Sequence, residues 1–429
     1  MGWKCNWLQW KYYCCDIKHA NKYLNQIQKE TERIFANKET RQVNRKKRAV
    51  SIIVSLTSIP ERLSCVQYPI RCMLGQTVKP DKIVLYLDKD RLSDDILPEE
   101  LRALKNNGVE IVYVEDLGPH TKYFYALQTY KDSYIITIDD DQIYNRDLIK
   151  NLLKAERAHK GAVCARRVVK MNLTQCGIPY PYRSFRHIVD KAEYSGKNIM
   201  ALGVGGILYP PHCLDHAEYD SEAIRKIARN SDDIWLKAQE LLHGVDVVKP
   251  KGIMGRFDTP VRESQKVALC KRNHANGNDE VMKAVFAHYG LYRYFSDSNW
   301  ESDAATDTLV RRLLTEWLTL HQRNLSIADY LTKKGVSSVA IYGMAKLGHM
   351  LQRELEENGI EVKYGIDVRE INDSLMPIIR PEDISDPVDL IIVTAATDLF
   401  SLKRRLESYT DCKIEMLENV IAEILWENI

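Results

Sequence analysis

Tyr134-Ile135-Ile136-Thr137-Ile138-Asp139-Asp140-Asp141 is a short apolar, β-branched run that ends on three adjacent carboxylates. An apolar run of this length, bounded by polar residues, predicts a strand buried on both faces. Three neighbouring carboxylates repel one another, and a bound divalent cation relieves the repulsion; hard oxygen donors suit Mn2+ or Mg2+. If the chain stays extended past the strand, side-chain alternation points Asp139 and Asp141 the same way. The pair can then hold one metal and a ribose hydroxyl. The plainer alternative is a solvated acidic turn.

Three similar runs precede this one. Ser51-Ile52-Ile53-Val54-Ser55-Leu56, Lys82-Ile83-Val84-Leu85-Tyr86-Leu87 and Glu110-Ile111-Val112-Tyr113-Val114 read as strands, with helical patterns near 65–75, 94–106 and 121–130 between them. Alternating strand and helix predicts an α/β fold with a mostly parallel sheet flanked by helices. Ligands of such sheets sit beyond the carboxyl ends of the strands, which is where the aspartate triplet falls.

Beyond residue 300 the pattern restarts. Leu309, Leu313, Leu314, Trp317 and Leu320 mark a helical connector over 300–334. Residues 335–429 form a smaller Rossmann-like α/β pattern, with strands at 337–342, 362–366 and 390–393. Within it, Gly343-x-Ala345-x-x-Gly348 opens a helix after a strand, and Asp367 follows about 20 residues on, a variant of the dinucleotide fingerprint. Alanine replaces the middle glycine, which the pyrophosphate tolerates poorly. A nucleotide site and a purely structural turn are both compatible with it. The expected organisation is thus 1–48 helical, 49–299 catalytic, 300–334 connecting and 335–429 Rossmann-like.

The chain has 429 residues, 61 Lys plus Arg against 59 Asp plus Glu, and a net charge of +2, which excludes a strongly basic nucleic-acid binder. The charge is uneven: residues 1–48 hold 12 basic and 4 acidic residues. The ten cysteines form no Cys-x-x-Cys pair, and free thiols in a reducing cytoplasm are expected. No apolar run is long enough for a spanning helix and no secretory leader is visible, so the sequon at Asn172 reads as accidental. In 1–24, Trp3, Trp7, Trp10, Cys14 and Ile17 fall on one helical stripe flanked by Lys4, Lys11, Lys18 and Lys22. Tryptophan beside lysine suits a helix lying at a membrane surface; packing on protein is the alternative. The expected location is cytoplasmic, peripheral at the inner face of the membrane.

Several further motifs carry chemistry. In Gly118-Pro119-His120-Thr121-Lys122, Thr121 is placed to cap a helix, and Lys122 near its start suits a diphosphate or is a plain surface lysine. Gly203-Val204-Gly205-Gly206 lets substrate approach the backbone, or makes a tight turn. Ser231 sits where an N-cap belongs, and Asp232 and Asp233 then occupy a first helical turn favoured by the helix dipole.

In order and placement these motifs resemble a nucleotide-sugar-dependent glycosyltransferase of the GT-A fold, close to the inverting family 2 group. The similarity covers residues 50–290. It implies that Ser55–Arg62 wraps the nucleotide, with Thr57 and Arg62 as donor contacts, that Asp88 lies near the base, and that Lys122, Asp139 and Asp140 contact the donor. It implies Asp139 and Asp141 as metal ligands, Gly205 and Gly206 in the acceptor region, and a base in the Asp232-Asp233 pair. The family usually has Glu-Asp there; Asp233 matches the base by position, and Asp232 stays open. Some relatives close a loop over the diphosphate with a histidine on the metal, which points to His274, near Lys271 and Arg272; Arg256 and Arg262 are other phosphate candidates. The implied activity is metal-dependent, inverting transfer from a nucleoside diphosphate sugar to a saccharide or lipid-linked hydroxyl, in surface polysaccharide or glycan synthesis. The rival reading is an oxidoreductase or nucleotide sensor built on the C-terminal fingerprint.

If residues 1–24 touch anionic lipid, each lysine contributes about 1 kcal/mol near the surface. Co-sedimentation with anionic liposomes should then weaken with salt and vanish on deleting 1–24. Binding that survives the deletion contradicts the expectation.

Overall fold

The computed structural model describes residue 29 and residues 41–174, 177–215, 217, 219–252, 259–261, 264, 277–291, 306–369, 376–395 and 399–429. The tryptophan-lysine stripe, Arg256, Arg262, Lys271, Arg272 and His274 lie outside them. The chain divides into two compact units. One ends at Met171 and resumes over Phe185–Tyr289; the other comprises Asn172–Ser184 and Gly290–Ile429. Among the described residues no helix is long and apolar enough to cross a membrane.

The first unit is built on an eight-stranded sheet. Its parallel part contains β1 (Ile52–Thr57), β2 (Lys82–Asp88), β3 (Val109–Val114) and β4 (Tyr134–Thr137), in the order β3-β2-β1-β4. Val54, Leu56, Ile83, Leu85 and Ile136 are fully buried, which is why these strands read as continuous apolar runs. The sheet continues from β4 through Ile207–Tyr209, antiparallel to it, and then Val163–Ala165, Val247–Lys249 and Tyr194–Gly196. Helices Gln67–Leu74 and Leu148–Ala158 supply Ile70, Met73, Leu148, Ile149 and Leu152 to the core beneath one face. Each such side chain contributes about 1.5–3 kcal/mol when fully buried.

The chain steps outward from β1 to β2 and β3, then returns to the other side of β1 as β4. Ser55 pairs with Thr137, and the Ile138 amide donates to the Ser55 carbonyl at 3.0 Å, so β1 and β4 end side by side. This reversal of strand order is where an open α/β sheet forms its crevice. The loops after β1 and β4, Ser58–Arg62 and Asp139–Asp141, both emerge there.

The second unit has a five-stranded parallel sheet, ordered Ile378–Ile379, Glu361–Ile366, Ser338–Tyr342, Leu390–Val393, Ile414–Met416. The helices read from sequence as a connector, Thr306–Gln322 and Ile327–Lys333, belong to its core: Leu313, Trp317, Leu320, Ile327 and Leu331 pack with Leu351, Leu355 and Ile421. Tyr180 joins the same core, and the Trp426 indole donates to the Pro179 carbonyl at 2.6 Å. This explains why Asn172–Ser184 groups with this unit, although it falls within the segment expected to be catalytic.

The fingerprint residues are taken up by internal packing. A Cβ on Gly348 would lie 2.5 Å from the Gly343 carbonyl oxygen, and Gly343 adopts φ +93° with Thr394 and Ala395 close by. Ala345 precedes helix Lys346–Glu357 without a side-chain cap. Asp367 is buried; it accepts from the Met344 amide at 3.1 Å and is gripped by Arg369 on both oxygens. Gly348→Ala should destabilise this unit by about 1–3 kcal/mol through overpacking against backbone. Urea unfolding checks this, and an unchanged midpoint would contradict it.

Candidate functional site

Helix α1 (Thr121–Thr129) follows the turn Gly118–His120, and helix α2 (Asp232–Leu242) follows Ser231. Their first turns carry the charged groups that meet at the end of β4. The Lys122 ammonium lies 2.6 Å from Asp139 Oδ1 and 3.0 Å from Asp232 Oδ2. The residue is only 5% exposed, so this is no surface lysine. Burial alone would drive it toward the neutral amine; Asp139, Asp232 and Asp233 reverse that and hold its pKa well above the ordinary lysine value. The Lys122 carbonyl accepts the Ser55 hydroxyl, which fixes the start of α1 to β1.

Asp232 and Asp233 are neighbours in different environments. Asp232 is buried, and although burial opposes its charge, Lys122 and the other groups around it together keep its pKa below the usual carboxylate value. Asp233 is more exposed and accepts the Gly203 amide at 2.8 Å. Burial, then the charge of Asp232, raises its pKa well above the usual value. Ser231 holds the N-cap position, but its hydroxyl donates to Asn278 Oδ1 at 2.9 Å instead of capping. Thr121 likewise does not cap α1; its Oγ1 accepts the Leu117 amide at 2.9 Å.

The triplet splits between two cations. Asp139 faces Lys122, whereas the buried Arg62 pairs with Asp140 at 2.7 Å and Asp141 at 3.3 Å. Ser58 donates to Asp140 at 2.6 Å. The strand ends at Thr137 and the chain turns at Asp140–Asp141, so the alternation expected of an extended chain does not set these directions. Asp140 is raised by burial, partly offset by Arg62. Asp141 is pushed up to about 6 by burial and then by Asp139 and Asp140, against Arg62. Five carboxylates therefore surround two directly paired cations. Among the described residues no group of three or more His, Cys, Asp or Glu side chains converges as a metal cage.

The glycines separate in role. A Cβ on Gly203 would meet the Lys122 ammonium at 3.0 Å and Asp233 Oδ1 at 3.3 Å, so Gly203 faces the charged cluster. Gly205 backs onto Arg167, whose backbone nitrogen would be 2.8 Å from an added Cβ; Gly206 has φ +83° and packs on Leu148. These two serve the tight turn. Tyr144 joins turn and triplet: its hydroxyl accepts the Asp139 amide at 2.8 Å and donates to the Val204 carbonyl at 3.3 Å.

Of the other sequence candidates, Thr57 donates to the Tyr86 carbonyl at 3.0 Å, a tie within the sheet, and Asp88 accepts the Asp90 amide at the end of β2. The structure thus brings together Arg62, Lys122, Asp139, Asp140, Asp141, Asp232 and Asp233. Ser58, His120 and Tyr144 were not singled out from sequence. Ser58 and His120 lie inside quoted motifs, and Tyr144 stands three residues past the triplet, but nothing local marks their distant partners.

No protein-family model and no curated protein matches the chain. Solved structures similar to it include a CMP:2-keto-3-deoxy-manno-octonic acid synthetase complexed with CTP, at 10% identity and TM-score 0.28, covering 48% of this chain and 94% of that one. HddC from Yersinia pseudotuberculosis is similar at 16% identity and TM-score 0.25, covering 42% and 80%. At these scores the likeness carries no inference about the reaction.

The raised Asp141 predicts a pH signature. Its folded pKa lies above the unfolded 3.8, so the stability it contributes is full below 3.8 and lost as pH rises through about 6. Asp141→Asn lacks that loss. With EDTA present, the stability of the variant relative to wild type should rise between about pH 4 and about pH 7 in urea titrations. Parallel pH profiles would contradict the shift.

Proposed function

We propose that the first unit is a metal-assisted glycosyltransferase of the GT-A type, moving a sugar from a nucleoside diphosphate to a hydroxyl of a saccharide or lipid-linked acceptor, with inversion. One observation carries this reading. Lys122 bridges the aspartate triplet and the α2 carboxylates beside the open backbone of Gly203, in the crevice where strand order reverses.

The donor set suits a divalent cation by charge. Burial, and after it the neighbouring carboxylates, raises Asp140, Asp141 and Asp233, and a bound cation would offset both. Catalytic Mg2+ is commonly held by one or two carboxylates and completed by substrate phosphates, so a converged protein cage is not needed. Asp139 and Asp141 would hold Mn2+ or Mg2+, which supplies charge neutralisation of the leaving diphosphate.

The chain's own groups divide the remaining work. Lys122 binds the diphosphate and stays charged at any working pH. Asp232 is its counter-ion and holds it toward α2. Asp233 is the general base: its raised proton affinity suits it to take the acceptor hydroxyl's proton as that oxygen attacks the anomeric carbon and the bond to the diphosphate breaks. The Gly203 amide orients the Asp233 carboxylate for that step. Arg62 and Ser58 anchor Asp140 and hold the triplet in place. The acceptor lies in glycan synthesis, reached at the membrane surface through residues 1–24.

Incubation with UDP-, GDP- and dTDP-sugars, with and without Mn2+, tests the proposal. Metal-dependent release of nucleoside diphosphate supports it; stabilisation by NAD(H) alone, with no donor turnover, would overturn it. Asp233→Asn should lower turnover by about 100-fold or more while keeping donor binding, the usual scale for a general base. Asp232→Asn should chiefly weaken donor binding. The reverse pattern would assign the base to Asp232.

A further inference from the structure

We propose that His120 is a positioning residue: its imidazole fixes the Lys122-bearing turn against the segment entering α2, and so sets Lys122 relative to Asp232 and Asp233. The kinetic consequence rests on the transfer proposed above; the structural one does not.

His120 is fully buried, and both ring nitrogens are engaged. Nε2 lies 2.7 Å from the Ala228 carbonyl oxygen, which can only accept, so Nε2 carries the proton. Nδ1 lies 2.8 Å from the Tyr123 hydroxyl. Burial pushes the imidazole down to about 4, so the ring is neutral and Nδ1 accepts from Tyr123. A histidine with both nitrogens spent on fixed partners is neither a proton carrier nor a metal ligand. It is a strut.

What it braces is specific. Ala228 ends a single π-helical turn, Ile224–Ala228, and Asp232 follows four residues later. Gly118, with φ +64°, lies so close that an added Cβ would sit 2.8 Å from the Arg229 carbonyl oxygen. The turn carrying Lys122 therefore rests directly on the backbone that leads to the acidic pair. Arg225–Glu115 at 2.6 Å and Arg229–Asp116 at 3.2 Å join the same segments from outside. Exposed pairs of that kind contribute little, which leaves the buried imidazole as the directional contact. Trp235 of α2 meets the ring edge-on, with centroids 6.4 Å apart.

The test reads Lys122 directly. Wild type, His120→Phe, His120→Gln and His120→Asn are acetylated briefly with an N-hydroxysuccinimide ester, and Lys122 labelling is measured by mass spectrometry relative to exposed lysines. Lys122 should be protected in wild type and label several-fold faster in His120→Phe at unchanged circular dichroism. His120→Gln, whose amide reaches the Ala228 carbonyl, should restore most of the protection, and His120→Asn should not. Where a donor is turned over, kcat/KM of His120→Phe should fall by about 100-fold with donor KM raised, because the displaced Lys122 is the group that holds the diphosphate. Unchanged Lys122 protection in folded His120→Phe overturns the proposal. If that variant does not fold, equal labelling of the Gln and Asn variants overturns it, and protection in Gln alone supports it. Absence of turnover on every donor counts against the transfer reading; the labelling still decides the role of His120.

Discussion

The first unit depends on one buried ammonium. Lys122 and Asp232 are removed from water and Asp139 is half-buried beside them; taking either buried charge out of solvent alone would cost several kcal/mol. Each is tolerable only because the others are within reach. Deleting a single partner leaves an uncompensated charge, so the three elements that supply them, α1, the end of β4 and the start of α2, are bound to converge. Gly203 fits the same constraint, because a Cβ there would lie 3.0 Å from the ammonium, which would have to shift.

The convergence is prepared by topology. The β3-β2-β1-β4 order opens a crevice between β1 and β4, and two polar loops enter it from adjacent strand ends. The loop after β1 brings Ser58 and Arg62 to Asp140, and the loop after β4 brings the triplet. β1, β2 and β4 are largely buried and apolar up to that point, so charge gathers at one rim, where low dielectric strengthens each pairing.

Much of this was legible in sequence because it is local. The apolar runs at 51–56, 82–87, 110–114 and 134–138 become β1 to β4, and the triplet sits at the strand end that the alternating pattern indicates. What was not legible is long-range. Ser231 carries a capping residue type, but a neighbour 47 residues away takes its hydroxyl. Asp139 pairs with Lys122 and Asp141 with Arg62 because the chain turns at Asp140–Asp141, where alternation assumes it extended. His120 and Tyr144 act on carbonyls 108 and 60 residues away, a relation that periodicity does not encode. The same holds for Tyr180, whose place in the second unit's core is fixed by strands and helices more than a hundred residues downstream.

In the second unit Met344, Asp367 and Arg369 satisfy one another, so the fingerprint pattern there is explained by packing. The proposed transfer rests on the Lys122 cluster. Calorimetric titration of UDP, GDP and dTDP in the presence of Mn2+, into wild type and Lys122→Met, tests that most directly. Saturable binding of one nucleotide to wild type, weakened about tenfold or more in the folded variant, is the predicted result; tenfold corresponds to about 1.4 kcal/mol. Binding that is indifferent to Lys122→Met would contradict it.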